Sequence, residues 1–312
     1  MADATFIAIN SEALLAKSKV YMGRAMASKA DDELDEYQLW ASLALELLGK
    51  AALASKHPSL IVDPTHWPSM FVAAGIKITT DVKTITAKTL FERLTHLAPR
   101  FDKSVQDFCM RISERRNAEL HSGDLPFKTM RLDAWEAKYW HAADIILRFL
   151  GSSLEEWLGA ADAAAPRQIL DEAFAALESS VKEQVKAAAA NAKAMKKGER
   201  DPRVSQAEAL DIEDAGPLFD QAHDHIWRET CPACANPAFM AGEQSGETIS
   251  HETEEYAMWE IVDREFVGEA FVCLVCELAL SSSDELTAAD LDYIHNDTVE
   301  REMEYEPEYG ND

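Results

Sequence analysis

Four of the five cysteines fall in two pairs, Cys231-Pro-Ala-Cys234 and Cys273-Leu-Val-Cys276. A C-x-x-C pair closes a tight knuckle whose thiolates point at one centre, and two knuckles supply the four tetrahedral ligands that zinc prefers. A closed four-sulfur shell implies a structural role, so one structural zinc ion per chain is expected. The 38 residues between the pairs exceed the commonest spacing, and an inserted hairpin loop over 241–254 is expected to absorb the excess. Two disulfides or a redox dithiol are the competing readings. The first needs an oxidising compartment, and the second a βαβ context that the pattern lacks. His223 and His225 lie close enough in sequence to stand in for one cysteine. Cys109, alone on an apolar helical stripe, reads as a small core residue.

A second group capable of chemistry lies in Ser113-Glu-Arg-Arg-Asn-Ala-Glu-Leu-His-Ser-Gly123. The apolar stripe Phe101, Val105, Phe108, Cys109, Ile112, continued at Leu120, places Arg116 on the inward side. A guanidinium there needs a partner, because desolvating it alone costs several kcal/mol. Glu119, three residues on, is the local candidate. Asn117 and His121 share a face about 40° apart, whereas Arg116 lies about 140° from His121 on an ideal helix. One helix does not easily aim both at one small target, but two copies crossing about a two-fold axis do. Histidine exchanges a proton near neutral pH, as acid/base work requires, and a guanidinium offers forked donors to the oxygens of a phosphate.

The elements that carry these residues divide the chain. Helices are expected over Phe6 to Ala30, Asp31 to Lys56, Thr84 to Leu97, Phe101 to His121 and Thr129 to Leu158. Pro58, Pro64 and Pro68 interrupt after the second, and Gly151-Ser152-Ser153 breaks the last. Trp135, Tyr139 and Trp140 sit at core-like spacing. Pro166 to Lys197 reads as a long amphipathic helix with the seam Leu170, Phe174, Leu177, Val181 and Val185, ended by Gly198 to Pro202. Strands follow at 256–263 and 265–273, with Asp263-Arg264 as the turn between them. The fold class is therefore mainly α: a helical bundle over 1–160, a long helix over 161–198, an acidic linker over 199–224, a small β-containing zinc-ribbon-like domain over 225–285 and a mobile acidic tail over 286–312.

Charge follows the same division. Of 30 basic and 56 acidic residues, 19 of each lie in residues 1–150, leaving 11 and 37 in residues 151–312 and with them the whole net charge of -26. Such a field repels phosphate backbones, so the C-terminal half is a poor nucleic-acid binder and suits a basic protein partner. No run of apolar residues is long enough to span a membrane and no secretion signal is visible, so a cytoplasmic protein is expected.

At Arg116-Asn117-Ala-Glu-Leu-His121 the sequence resembles the HEPN superfamily, whose signature is an arginine, a polar residue and a histidine four to six positions after the arginine. The resemblance implies a HEPN-like helical bundle that dimerises and cleaves RNA without metal at a composite site. There Arg116 and His121 of both copies would surround the scissile phosphate, and a ribose hydroxyl would attack to leave 2′,3′-cyclic phosphate ends. By the same resemblance Asn117 would orient the histidine or the phosphate, and the setting would be microbial defence or toxin-antitoxin biology. Arg115 falls outside the signature and reads as a surface residue able to help with an RNA backbone. The alternative is a non-catalytic HEPN/zinc-ribbon interaction protein presenting its acidic surface to a protein partner, favoured by the absence of a basic surplus in the N-terminal half.

Overall fold

The computed structural model describes residues 8–79, 81–250 and 259–302, without the side chains of Asp133 and Ala134. The architecture is mainly α, with long helices followed by a small β-containing domain. The chain divides into two compact units, Met1–Ala176 and Leu177–Asp312. Among the described residues, no helix is long and apolar enough to cross a membrane.

In the first unit α1 (Ser11–Ala30) and α2 (Leu34–Lys56) form a hairpin. Asn10 caps α1 by accepting the Ala13 N–H, and the turn between the helices uses Asp32 at φ 61°. Alternation of Ala with Leu makes α2 apolar on most of its circumference, and Ala41, Ala44, Leu48, Ala51 and Leu53 have no exposed surface. A helix of that character belongs at the centre of a bundle. After the prolines come a single turn at Pro58–Leu60 and α3 (Trp67–Ala73). α4 (Ala87–Thr95) crosses α2 at Gly49, where an added Cβ would lie 3.3 Å from Leu90 and Leu94 methyls. α5 (Lys103–His121), α6 (Leu132–Phe149) and α7 (Leu154–Leu158) complete the bundle, with the break at 151–153 where it was expected.

The aromatic residues of α6 are core. Trp135, Tyr139 and Trp140 are at most 2% exposed. Tyr139 also donates to the Ala41 carbonyl at 2.9 Å, tying α6 to α2. Tyr37 donates to Glu136 at 2.7 Å, and Lys29 pairs with the same carboxylate oxygen, so this buried acid ties α6 to α1 and α2. Cys109 is fully buried and its thiol is pushed up by that burial, as a core residue's should be.

α8 (Ala160–Ala194) starts ahead of Pro166, where the helix was expected to begin. In the second unit Val181 of its seam is fully buried, with Leu177 and Val185 packed beside it. The break that follows falls at Met195 and Lys196, and Gly198 and Pro202 lie inside α9 (Lys197–Ala209) rather than ending the helix or opening a linker. Tertiary anchoring overrides local propensity here. Arg203 of α9 pairs with Glu277 at 2.7 Å, and Arg228 donates to the carbonyls of Ala207, Glu208 and Leu210 at the C-terminal end of α9.

The sheet departs most from expectation. β1 (His225–Thr230), β2 (Pro237–Ile249) and β3 (Trp259–Val272) are successive antiparallel neighbours. No turn occurs at Asp263-Arg264. Both residues pair within β3, against Thr248 and Glu247 of β2. Residues 241–249 of the expected loop are strand, while 251–258, including the start of the first expected strand, lie outside the described residues. β4 (Ala279–Leu280) and β5 (Ile294–Glu302) share the other edge of β3, and α10 (Ser283–Ala288) sits between them in the chain. Residues 294–302 are therefore ladder and not tail, held by nine register pairs and by Arg264 to Asp297. The tail expected beyond 302 lies outside the described residues. β5 is acidic, which hid it in a composition-based reading, yet His295, Asp297 and Val299 are partly shielded in alternation with exposed neighbours, the period of a strand.

Candidate functional site

α5 is built to hold a fixed rotation. Asp102 caps it by accepting the Val105 N–H at 3.0 Å, and Val105, Phe108, Cys109 and Ile112 are buried against the bundle. The stripe ends at Ile112, because Leu120, expected to continue it, is 49% exposed. Past that point the helix presents three faces about 100–140° apart, one each for Arg115, Arg116 and the pair Asn117 and His121.

Arg116 faces α2. Its Nη1 lies 2.6 Å from Glu46 Oε2, and Glu46 also accepts from Lys50 at 2.8 Å, with all three side chains largely shielded from water. Burial pushes the Glu46 carboxyl up, but Lys50 and Arg116 together outweigh it and hold the group below the ordinary glutamate range. Glu119, the expected local partner, does not take that role. One of its carboxylate oxygens is buried without a hydrogen-bond partner, as is the Nε of Arg116. Glu46 was out of reach of sequence reasoning, since its only signal is an acid at i,i+4 from Lys50 on an otherwise apolar helix. Asn117 and His121 are exposed, and among the described residues no hydrogen bond joins them. Within one chain, then, the three signature residues do not converge. Leu120 and Leu125, before and after His121 in the chain, are both about half exposed.

Arg115 faces a groove of about 580 Å³ between α5, the segment 129–131 and the start of α6. Arg111, Arg131 and Lys138 line it as well, while Phe108, Ile112 and Trp135 form its floor. Among the described side chains, no carboxylate lines it.

The four paired cysteines converge in the second unit. Their sulfurs all lie within 4.8 Å of one another, with Cys231 to Cys276 at 3.5 Å and Cys234 to Cys273 at 3.6 Å. A tetrahedron with metal–sulfur bonds of about 2.3 Å has sulfur–sulfur edges of about 3.8 Å, so the spacing fits such an ion. All four cysteines are free, and three are buried. The two knuckles repeat one backbone pattern. Ala235 N–H donates to the Cys231 carbonyl and Glu277 N–H to the Cys273 carbonyl, both at 2.9 Å, and Ala235 and Glu277 have φ of 55° and 62°. The first knuckle joins β1 to β2 and the second joins β3 to β4, so the sheet sets their separation. Hydrogen bonds from Cys231 and Cys276 pull Cys273 far below the thiol range, and the same crowding pushes Cys231 and Cys276 up. Four sulfurs this close cannot all ionise without a cation. Arg203, donating to Glu277 and to the Val275 carbonyl, brings positive charge to the second knuckle.

His223 and His225 are not part of this cluster. His223 Nδ1 contacts Glu243 Oε1 at 3.1 Å, and with Glu269 the two form a separate group whose ligand atoms lie within 4.8 Å of one another. The signal for it was the glycine pair Gly242 and Gly268. They face each other where the β2–β3 register slips, and the slip leaves Glu269 as the extra residue of a bulge. A Cβ on Gly242 would meet the Val267 carbonyl oxygen at 2.1 Å. His225 instead stacks on Phe266 at 4.3 Å, in a layer with Trp227 and His295.

Set against protein-family models, curated proteins and solved structures, the chain matches none.

Proposed function

We propose that the first unit is a HEPN-type, metal-independent endoribonuclease that acts as a homodimer, and that the second unit is a zinc-ribbon-like domain with one structural zinc on Cys231, Cys234, Cys273 and Cys276. The observation that carries the nuclease reading is the division of labour on α5. Glu46 fixes Arg116 at one edge of the helix, while Asn117 and His121 are exposed, as are Leu120 and Leu125 at the same end of α5 and just beyond it. An exposed histidine on a helix end that also exposes large apolar side chains suits a face that a second copy covers, and pairing about a two-fold axis supplies the convergence that one chain lacks. In that arrangement His121 exchanges the proton of the attacking ribose hydroxyl or the leaving oxygen, and Arg116 donates its free N–H groups to the phosphate oxygens. The zinc ion would be structural, since four thiolates close the shell.

A second reading has its own support. A guanidinium already paired with Glu46 is the expected state of a structural ion pair, which favours a non-catalytic protein whose acidic second unit meets a basic partner. The deciding experiment is RNA cleavage in chelator by the wild type and by His121→Ala, with the product ends analysed. Cyclic phosphate ends lost in the variant support the nuclease. Equal cleavage by both, or none by the wild-type dimer, leaves the interaction protein.

A further inference from the structure

The group formed by His223, Glu243 and Glu269 belongs neither to the cysteine centre nor to the face of His121, yet the second unit holds each of its members in place. His223 lies in the segment that leads into β1, with its ring against Phe219 at 5.7 Å and its side chain only 7% exposed. The next residue, Asp224, accepts the Gln244 N–H at 3.1 Å, which ties that segment to β2 beside Glu243. Glu269 stands on the bulge of β3, and a bulge re-aims a side chain. Gly268, just before it, donates to the Tyr293 carbonyl at 2.7 Å and accepts from Ser283 Oγ at 3.0 Å, so the backbone there is fastened in both directions.

The donor set goes beyond a hydrogen-bonded pair. A shielded histidine is satisfied at Nδ1 by one carboxylate oxygen, and Glu243 supplies it at 3.1 Å. Glu269 then brings a second carboxylate to within 4.8 Å of both, which such a pair does not call for and coordination does. Two carboxylates this close gain from a cation between them. The 3.1 Å separation also matches adjacent ligands on an ion with bonds of about 2.1 Å, for which an octahedral edge is about 3.0 Å and a tetrahedral edge about 3.4 Å. One imidazole nitrogen with two carboxylate oxygens suits a first-row divalent cation, manganese included, whereas four thiolates select softer ions. Three protein ligands leave coordination positions open, and Glu243 is partly exposed, so water reaches the group.

We infer that His223, Glu243 and Glu269 form a second metal site, which takes an exchangeable first-row divalent cation such as manganese and leaves positions free for water or another oxygen donor. It stands independently of the nuclease reading and of the structural zinc.

The probe is manganese(II), titrated into the desalted, zinc-loaded full chain and followed by the paramagnetic resonance signal of the free ion. The wild type should take up one manganese per chain and saturate. Glu269→Gln and His223→Asn should each weaken that uptake at least about tenfold. Glu300→Gln removes the same charge from an exposed position on β5 and should bind as the wild type does, which separates coordination from the general pull of a chain of net charge -26. Zinc should displace the manganese at a lower concentration than magnesium does, as the affinity order of sites containing nitrogen requires. Manganese should also raise the melting temperature of the wild-type second unit and leave that of Glu269→Gln unchanged. Near-ultraviolet circular dichroism verifies that the variants are folded, and the partly exposed Glu269 carries the test if the shielded His223 does not tolerate substitution. Failure of the wild type to saturate, wild-type affinity in Glu269→Gln, or equal displacement by magnesium and zinc overturns the inference.

Discussion

Arg116 of α5 and Glu46 of α2 form an ion pair that ties α5 to the central helix of the bundle, with Nη1 and Oε2 at 2.6 Å. Removing the carboxylate leaves Arg116 and Lys50 both shielded and uncompensated. Glu46→Gln should therefore destabilise the first unit by about 2–4 kcal/mol, more than an exposed pair would be worth. Denaturant titration with a double-mutant cycle over Glu46 and Arg116 measures it, and a coupling near zero would show that the pair is incidental. The pH dependence has a definite sign. The folded-state value of Glu46 lies below its ordinary 4.5, so its contribution is complete above that value and is lost as pH falls through the depressed one.

His121→Ala should leave stability within about 0.5 kcal/mol of wild type, because the side chain is exposed and makes no described hydrogen bond. Cleavage should fall by about 100-fold or more if the imidazole moves a proton. Leu120→Ser with Leu125→Ser should weaken self-association and cleavage together. Sedimentation of these variants at matched concentration separates loss of the dimer from loss of chemistry.

Metal content should be one zinc per chain and should vanish in Cys273→Ser. Strong chelation should unfold the second unit and spare the first, since the apparent binding energy of a four-thiolate zinc site, about 10 kcal/mol or more at neutral pH, is folding energy for so small a core. Near-ultraviolet circular dichroism with and without chelator reads the effect, and a second unit that melts at an unchanged temperature without metal would contradict it.

Within that unit, burial, helped by His295 and Arg264, outweighs Asp297 and holds His225 below its ordinary value of 6.5. The unfolded chain thus takes up the proton first, and stability is complete above 6.5 and declines as pH drops toward the depressed value. His225→Asn should flatten that part of the stability profile relative to wild type.

Gly242→Ala should be severely destabilising, with the added methyl 2.1 Å from a backbone oxygen that the sheet cannot move. Gly246→Ala, whose Cβ would meet Glu265 Cβ at 3.9 Å, should be tolerated. Equal denaturation midpoints for the two would show that the bulge is not rigid.

Much of this was readable in the residues because the helical period is long and the breaks are sharp. α5, the gap at 151–153 and the burial of Trp135, Tyr139 and Trp140 all follow from spacing and from Gly and Ser placement. The cysteine centre was legible because C-x-x-C is short-range geometry. What escaped were partnerships across the fold. Glu46 reaches Arg116 from 70 positions away, the four cations of the groove come from three segments, and α9 persists through Gly198 and Pro202 because Arg203 anchors its middle and Arg228 its C-terminal end. β3 was split in two by Asp263-Arg264, a dipeptide with turn character that cross-strand pairing on both sides keeps straight.

The last described strand carries a consequence for synthesis. β5 borders β3 and emerges from the ribosome after both knuckles, so a nascent chain has its full sulfur set while one flank of β3 still lacks its neighbour. If the four sulfurs take a metal ion, its capture can precede closure of that flank, and a chain cut short before Ile294 would present a bare ladder to other chains, a species prone to clump even with its sulfur centre assembled.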